Sequence, residues 1–316
     1  MGKASRRRKA QHQSPDSSRR RDPQAAPAPF VARPFEGLAG ETDWVAMREV
    51  VPAATASIRF TVPPGSDGEG SGSDGDGDGV GTDEPREAAV VTVLPLAWPG
   101  LHRGDGTVMV ALQSGSNSGD ASRDVAQVLL AAANAEPGTP IPSAPQSTVG
   151  TPRLQDLVDG EAPFEVTVHE GFDFWVAESA DLDEDGRASL ERANEAAVPT
   201  VKLDSVASAY WCRIGERTHI RWILPQDEDA ATDALARLHA ADASTLGEDT
   251  RLLGAFRACG LLVPVWDLDP ALEAGDYEDA MAQFGRRFDE ALDGGPLSVD
   301  ERRARSGLLS RQVTLR

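Results

Sequence analysis

Tyr210-Trp211-Cys212-Arg213-Ile214-Gly215-Glu216-Arg217-Thr218-His219-Ile220-Arg221-Trp222-Ile223-Leu224 is the stretch on which the fold turns. Tyr210–Ile214 and Thr218–Leu224 read as strands, and Gly215-Glu216-Arg217 between them has the length and the glycine of a hairpin turn. Asp227 to Ala241 follows as a helix, with Ala231, Leu235, Leu238 and Ala241 in phase on one face. A hairpin running into a helix is an α+β signature.

The same order is echoed upstream. Arg103-Gly104-Asp105-Gly106-Thr107 leads into a strand over Thr107–Leu112, then a polar loop with Asp120, then a helix to Ala135 carrying Val125, Val128, Leu129 and Ala132. The expected fold is therefore α+β (mixed α/β), with antiparallel-rich sheets and packed helices. The echo suggests two similar β-β-α halves. Further strands are expected at Ala56–Val62, Ala88–Leu94, Val201–Leu203 and Leu261–Trp266. Phe164–Val168 and Phe172–Val176 read as paired strands across His169-Glu170-Gly171. Helices are expected at Trp44–Val50, with Thr42-Asp43 as its cap, and at Leu154–Val158, Leu190–Ala197, Arg251–Ala258, Tyr277–Leu292 and 298–306.

Three regions follow from composition: a disordered basic tail at 1–33, a first α/β subdomain at 34–160, and a second at 161–316. The first subdomain carries an acidic, Gly-rich loop at 65–84 with eight glycines between Gly65 and Gly81, too little apolar surface to offset its ordering entropy. The charge is split. Residues 1–33 hold nine basic side chains against Asp16 and Asp22, which leaves +7 there; the whole chain carries −20, so the remainder carries −27. The longest apolar runs fall far short of the ~20 residues that span a bilayer, so no membrane partner is expected. The basic start has no apolar run after it, as a secretory signal requires. Cys212 and Cys259 sit in apolar settings and read as buried free thiols, which points to the cytoplasm.

The chemistry-bearing motifs are sparse. Asp181-Leu182-Asp183-Glu184-Asp185-Gly186 matches the first half of an EF-hand loop, but Arg192 stands where the bidentate carboxylate belongs, so an acidic turn feeding a helix is the expectation. No phosphate-cradling Gly-x-x-x-x-Gly-Lys-Ser/Thr loop, nucleophile elbow or His-Glu-x-x-His helix is present. No catalytic residue, metal ligand or cofactor is assigned. His169 with Glu170 and Asp173, near Trp175, is the best acid/base grouping. Trp211 and Trp222, with Arg213 and Arg221 nearby, offer either a base-stacking face or core anchors; the acidity of the body favours the core. The residues assigned to nucleic-acid contact are those of the tail: Arg6, Arg7, Arg8, Lys9, Arg19, Arg20 and Arg21.

Several strings also carry a resemblance. They are Arg33-Pro34-Phe35-Glu36-Gly37-Leu38, Asp43-Trp44-Val45-Ala46-Met47-Arg48-Glu49, Val51-Pro52-Ala53-Ala54-Thr55-Ala56, Gly254–Leu268 and Arg303–Arg316. In these the chain resembles an uncharacterised family of high-GC Gram-positive (actinobacterial) bacteria, defined as a domain of unknown function. The resemblance covers roughly 33–316. It implies a cytosolic protein and carries over no catalytic residue.

Three functions are compatible with this reading. The first is a non-enzymatic protein whose acidic body binds an unidentified protein partner. The second is tethering to nucleic acid or the ribosome through residues 1–33. The third is an enzyme with an unrecognised site near His169.

Overall fold

The computed structural model describes residues 26–63, 84–115, 118–144, 146–177 and 180–310. The tail residues Arg6, Arg7, Arg8, Lys9, Arg19, Arg20 and Arg21, and the acidic loop up to residue 83, lie outside the described residues.

The fold is α+β, with two mostly antiparallel sheets and seven helices among the described residues. Helix α1 (Glu41–Glu49) leads into β1 (Ala54–Phe60) and β2 (Arg86–Val91), which pair antiparallel from Thr55↔Val91 to Phe60↔Arg86. β3 (Gly100–His102) and β4 (Val108–Ala111) form a second hairpin, followed by α2 (Ala121–Asn134). With β5 (Thr139–Ile141) and β6 (Thr167–Val168) they build a six-stranded sheet in the order β5-β3-β4-β2-β1-β6, in which β2 and β4 are parallel. A one-turn helix, α3 (Leu154–Leu157), lies between β5 and β6, and α4 (Glu184–Glu195) lies between β6 and the second sheet.

That sheet has the order β10-β11-β9-β8-β7. It is formed by β7 (Thr200–Lys202), β8 (Ala209–Ile214), β9 (Arg217–Trp222), β10 (Arg251–Ala258) and β11 (Leu261–Asp267). α5 (Glu228–Ala240) follows the β8–β9 hairpin, and α6 (Glu278–Leu292) and α7 (Val299–Ser310) pack against α5 and the sheet.

Both halves contain the hairpin-then-helix unit, and in both an aspartate caps the helix: Asp120 accepts from Ser122 N, and Asp227 accepts from Asp229 N and Ala230 N. They differ in where the other hairpin lies. β1–β2 precedes the unit and joins it through a parallel β2–β4 pair; β10–β11 follows the unit and joins it through an antiparallel β11–β9 pair.

Four expectations are corrected. Arg251–Ala258 is strand β10 rather than a helix; it pairs along β11 across a turn in which Cys259 and Gly260 take φ of 45° and 80°. Phe172–Val176 is a 3-10 turn at Asp173–Trp175 rather than a strand, because β6 is spent on β1 and the Phe172 N–H donates to Asn194 Oδ1 instead (2.7 Å). α1 is entered from Gly40 (φ 69°) without a side-chain cap, because Asp43 is drawn toward the second sheet. Cys259 is half-buried rather than buried; Cys212 is buried, and both are free thiols.

The main core lies between the first sheet, α1 and α2, and it continues onto Tyr210, Ile223, Leu261 and Val263 of the second sheet. Gly100 lets α2 approach closely, since a Cβ there would stand 2.7 Å from Val128 Cγ1. A second core holds Trp222 and Trp266 against Phe284 and Phe288.

Candidate functional site

Side chains alternate across a strand, so each sheet has two faces to cover. In the first sheet Val90, Val108 and Val110 meet α2. Val91, Leu101, Met109 and Ala111 point the other way and form a small separate cluster, backed by Trp98, Phe174 and Trp175. This second face borders the candidate site.

One wall of the site is aromatic. Trp175 stacks on Phe172 with ring centres 4.7 Å apart, meets Phe174 edge-on, and donates from Nε1 to Val93 O (2.8 Å). Trp98 and Pro95 stand beside it. Between them Leu96 and Ala97 adopt left-handed φ of 54° and 55°, although neither is glycine, and Leu96 is 84% exposed. Such residues cost of order 1–3 kcal/mol each and cluster at ligand clamps and active sites.

The opposite wall is α4. Asp183 caps it by accepting from Gly186 N (2.8 Å), with Glu184 and Asp185 in its first turn. The calcium-like motif is therefore an acidic helix start. Leu182, just before the helix, lines the cleft together with Gly186 and Leu190 within it, four residues apart, yet no residue of this twelve-residue helix is buried. The helix stands off the sheet and leaves a cleft of about 520 Å³.

At one end the β3–β4 turn closes the cleft. Arg103 donates to Asp105 from Nε (3.1 Å) and Nη2 (2.8 Å), to Phe174 O from Nη1 (2.9 Å) and to Thr107 Oγ1 from Nη2 (3.2 Å). This guanidinium, with further help from Thr107, holds the Asp105 carboxyl well below the usual range. The pair is saturated internally, so the cleft keeps an apolar lining.

His169 lies behind the aromatic wall. Its Nε2 is 2.9 Å from Thr55 Oγ1, and its ring is 5.1 Å from Phe174. Burial lowers its pKa, with Asp173 opposing. Asn194 of α4 binds Asp173 (3.3 Å) and the Phe172 N–H, which fixes this turn. Glu170 is exposed. The structure thus brings His169 and Asp173 near each other but makes them supports of the Trp175 wall.

Trp211 and Trp222 are buried in the second core, which settles them as anchors rather than a stacking face. Arg213 lies over Trp211 at 5.2 Å, while Arg221 is in register with Tyr210, on the other face of the sheet. That other face holds an arrangement the sequence reading missed: Cys212, His219 and Asp267 lie in register on three adjacent strands, with His219 Nδ1 3.7 Å from Asp267 Oδ1. Burial raises the Cys212 thiol and lowers His219, which disfavours both the thiolate and the imidazolium that nucleophilic chemistry would use. Among the described residues no group of three or more His, Cys, Asp or Glu is arranged to hold a metal ion.

A second cleft, of about 630 Å³, separates the halves. Its cations are committed: Arg33 pairs with Glu41 (2.7 Å), Arg257 with Glu228, and Arg48 donates to Leu112 O (2.7 Å). The arm at residues 26–33 crosses it, pressed between one glycine from each half. A Cβ on Gly119 would stand 2.5 Å from Phe30 N, and one on Gly260 would stand 2.7 Å from Ala32 O.

No described helix is long and apolar enough to cross a membrane. The model of a family of unknown function, DUF5926, matches residues 34–316. No curated protein and no solved structure matches the chain.

Proposed function

The chain belongs to the DUF5926 family, whose description assigns no activity, and we propose that it is a non-enzymatic binding protein that receives an apolar segment of a partner protein between α4 and the first sheet. One observation carries the reading: Leu182, just before α4, and Leu190 within it line an open cleft opposite a tryptophan wall, while the helix buries no residue. Its volume lies in the ~300–1,000 Å³ range of ligand sites, and burying one large apolar side chain there contributes about 1.5–3 kcal/mol. Leu96 extends the apolar surface outward, as contact with a larger body requires. The two free thiols fit a cytoplasmic setting.

The test is site-specific photo-crosslinking in cells. Benzoylphenylalanine at Leu96 should yield a discrete protein adduct, and the same group at Val299, exposed on α7, should not. Equal adducts from both positions, or none at Leu96, would remove the reading.

A second reading is favoured by the charge split. Residues 1–25 precede Ala26, whose carbonyl accepts from Val149 N (3.3 Å), and they carry eight of the nine basic residues of the first 33. This reading is a tether to nucleic acid or the ribosome through Arg6, Arg7, Arg8, Lys9, Arg19, Arg20 and Arg21. Nuclease-sensitive co-sedimentation that disappears on deleting residues 1–25 supports it; sedimentation unchanged by both treatments overturns it.

A further inference from the structure

Resting on the docking reading, we infer that the occupant of the cleft is a cationic amphipathic helix. Its apolar face would lie on Trp98, Leu101, Trp175, Leu182 and Leu190, with Lys or Arg side chains turned toward the start of α4.

The argument is charge complementarity along one border. Leu182, Gly186 and Leu190 line the cleft, and beside Leu182 the chain carries Asp181, Asp183, Glu184 and Asp185, all exposed. The one cation of this stretch, Arg187, is paired with Asp181 at 2.9 Å. The Arg103–Asp105 pair at the other end is internally neutral. An apolar ligand entering here passes a net negative border, so cationic flanks gain and anionic flanks lose. A helix suits the shape, because an apolar groove beside a helix is filled by side chains spaced three and four apart. The chain's own residues 1–25 are cationic but contain no Leu, Ile, Val, Phe or Trp, so they cannot supply the apolar face.

Calorimetry on the full chain would use two 14-residue amphipathic peptides, one of Leu and Lys and one of Leu and Glu, at physiological salt. The Leu/Lys peptide should bind at least tenfold tighter. Leu190→Asp should weaken it at least tenfold; this half-buried position belongs to a helix with no buried residue, and an unchanged melting temperature would verify folding. The triple variant Asp181→Asn, Glu184→Gln, Asp185→Asn keeps the Asp183 cap and should reduce the preference at least fivefold. Equal binding of both peptides, lost in Leu190→Asp, overturns the charge inference and leaves the docking reading standing. Binding insensitive to Leu190→Asp, or no binding at all, overturns both. A parent that sediments as a dimer and becomes monomeric on Leu190→Asp makes a second copy the occupant and overturns the inference.

Discussion

The Lys202 ammonium lies 2.8 Å from Asp43 Oδ2 and joins the two sheets through α1. Lys202 is the only lysine beyond Lys9. The other oxygen of Asp43 accepts from Ser208 Oγ (2.6 Å) and Tyr210 Oη (2.8 Å), so one carboxylate from the first half satisfies three donors of the second. Asp43→Ala should cost about 2–3 kcal/mol, below the ~3–5 of a fully buried pair because both side chains keep some solvent contact. Lys202→Met should cost less, and the double variant should cost less than the sum, since the two act on one network. Urea unfolding of the four proteins checks the cycle; simple additivity would mean that the pair is not coupled.

Alkaline pH should open the same joint. Burial, reinforced by the Asp43 charge, pushes the Tyr210 phenol far above its ordinary 10. The folded protein therefore holds this proton more tightly than the unfolded chain. The contribution is complete below pH 10 and is withdrawn as pH rises above it. Urea midpoints measured from pH 8 to 11 should fall above pH 10, and less steeply for Tyr210→Phe, which starts lower because it lacks one hydrogen bond.

Gly260→Ala should release the arm. The residue takes φ of 80°, and the added Cβ would meet the Ala32 carbonyl at 2.7 Å, a backbone atom that cannot swing aside. Chymotrypsin cleavage after Phe30, at an amide now held by the Val31 N–H bond to Gly119 O (2.8 Å), should accelerate at least tenfold. Unchanged cleavage would show that the arm is not held by this contact.

Trp266→Ala should be the most damaging single change in the second half. The indole is fully buried, donates to Ser244 O (2.9 Å), and meets Phe284 edge-on at 5.0 Å. Loss of about 3–5 kcal/mol is expected from chemical unfolding.

Much of this architecture is readable in particular residues. The hairpin at Gly215 and the helices after Asp120 and Asp227 announce themselves, because alternation, turn and cap agree locally. β10 does not: Leu252, Leu253 and Phe256 suit a helix equally well, and only pairing with β11, itself a distant judgement, decides the matter. The cleft was hidden for a different reason. Its walls come from 95–105, 175–177 and 180–190, and no periodicity links segments so far apart. Its one local trace was the four-residue spacing of Leu182, Gly186 and Leu190, which reads as an ordinary buried stripe until the helix is seen to bury nothing. His169 was legible as a polar group near Trp175, but its engagement by Thr55 depends on β6 pairing with β1.

The arm gripped by Gly119 and Gly260 has a consequence in time. During synthesis residues 26–33 leave the ribosome early, whereas Gly260 is made ~230 residues later, roughly 10–45 s at about 5–20 residues per second. Throughout that interval half of the arm's seat does not exist. A nascent chain therefore carries residues 26–33 with one hold missing, and the finished protein grips them from both halves: one segment with two different tethers, before and after Gly260 is made.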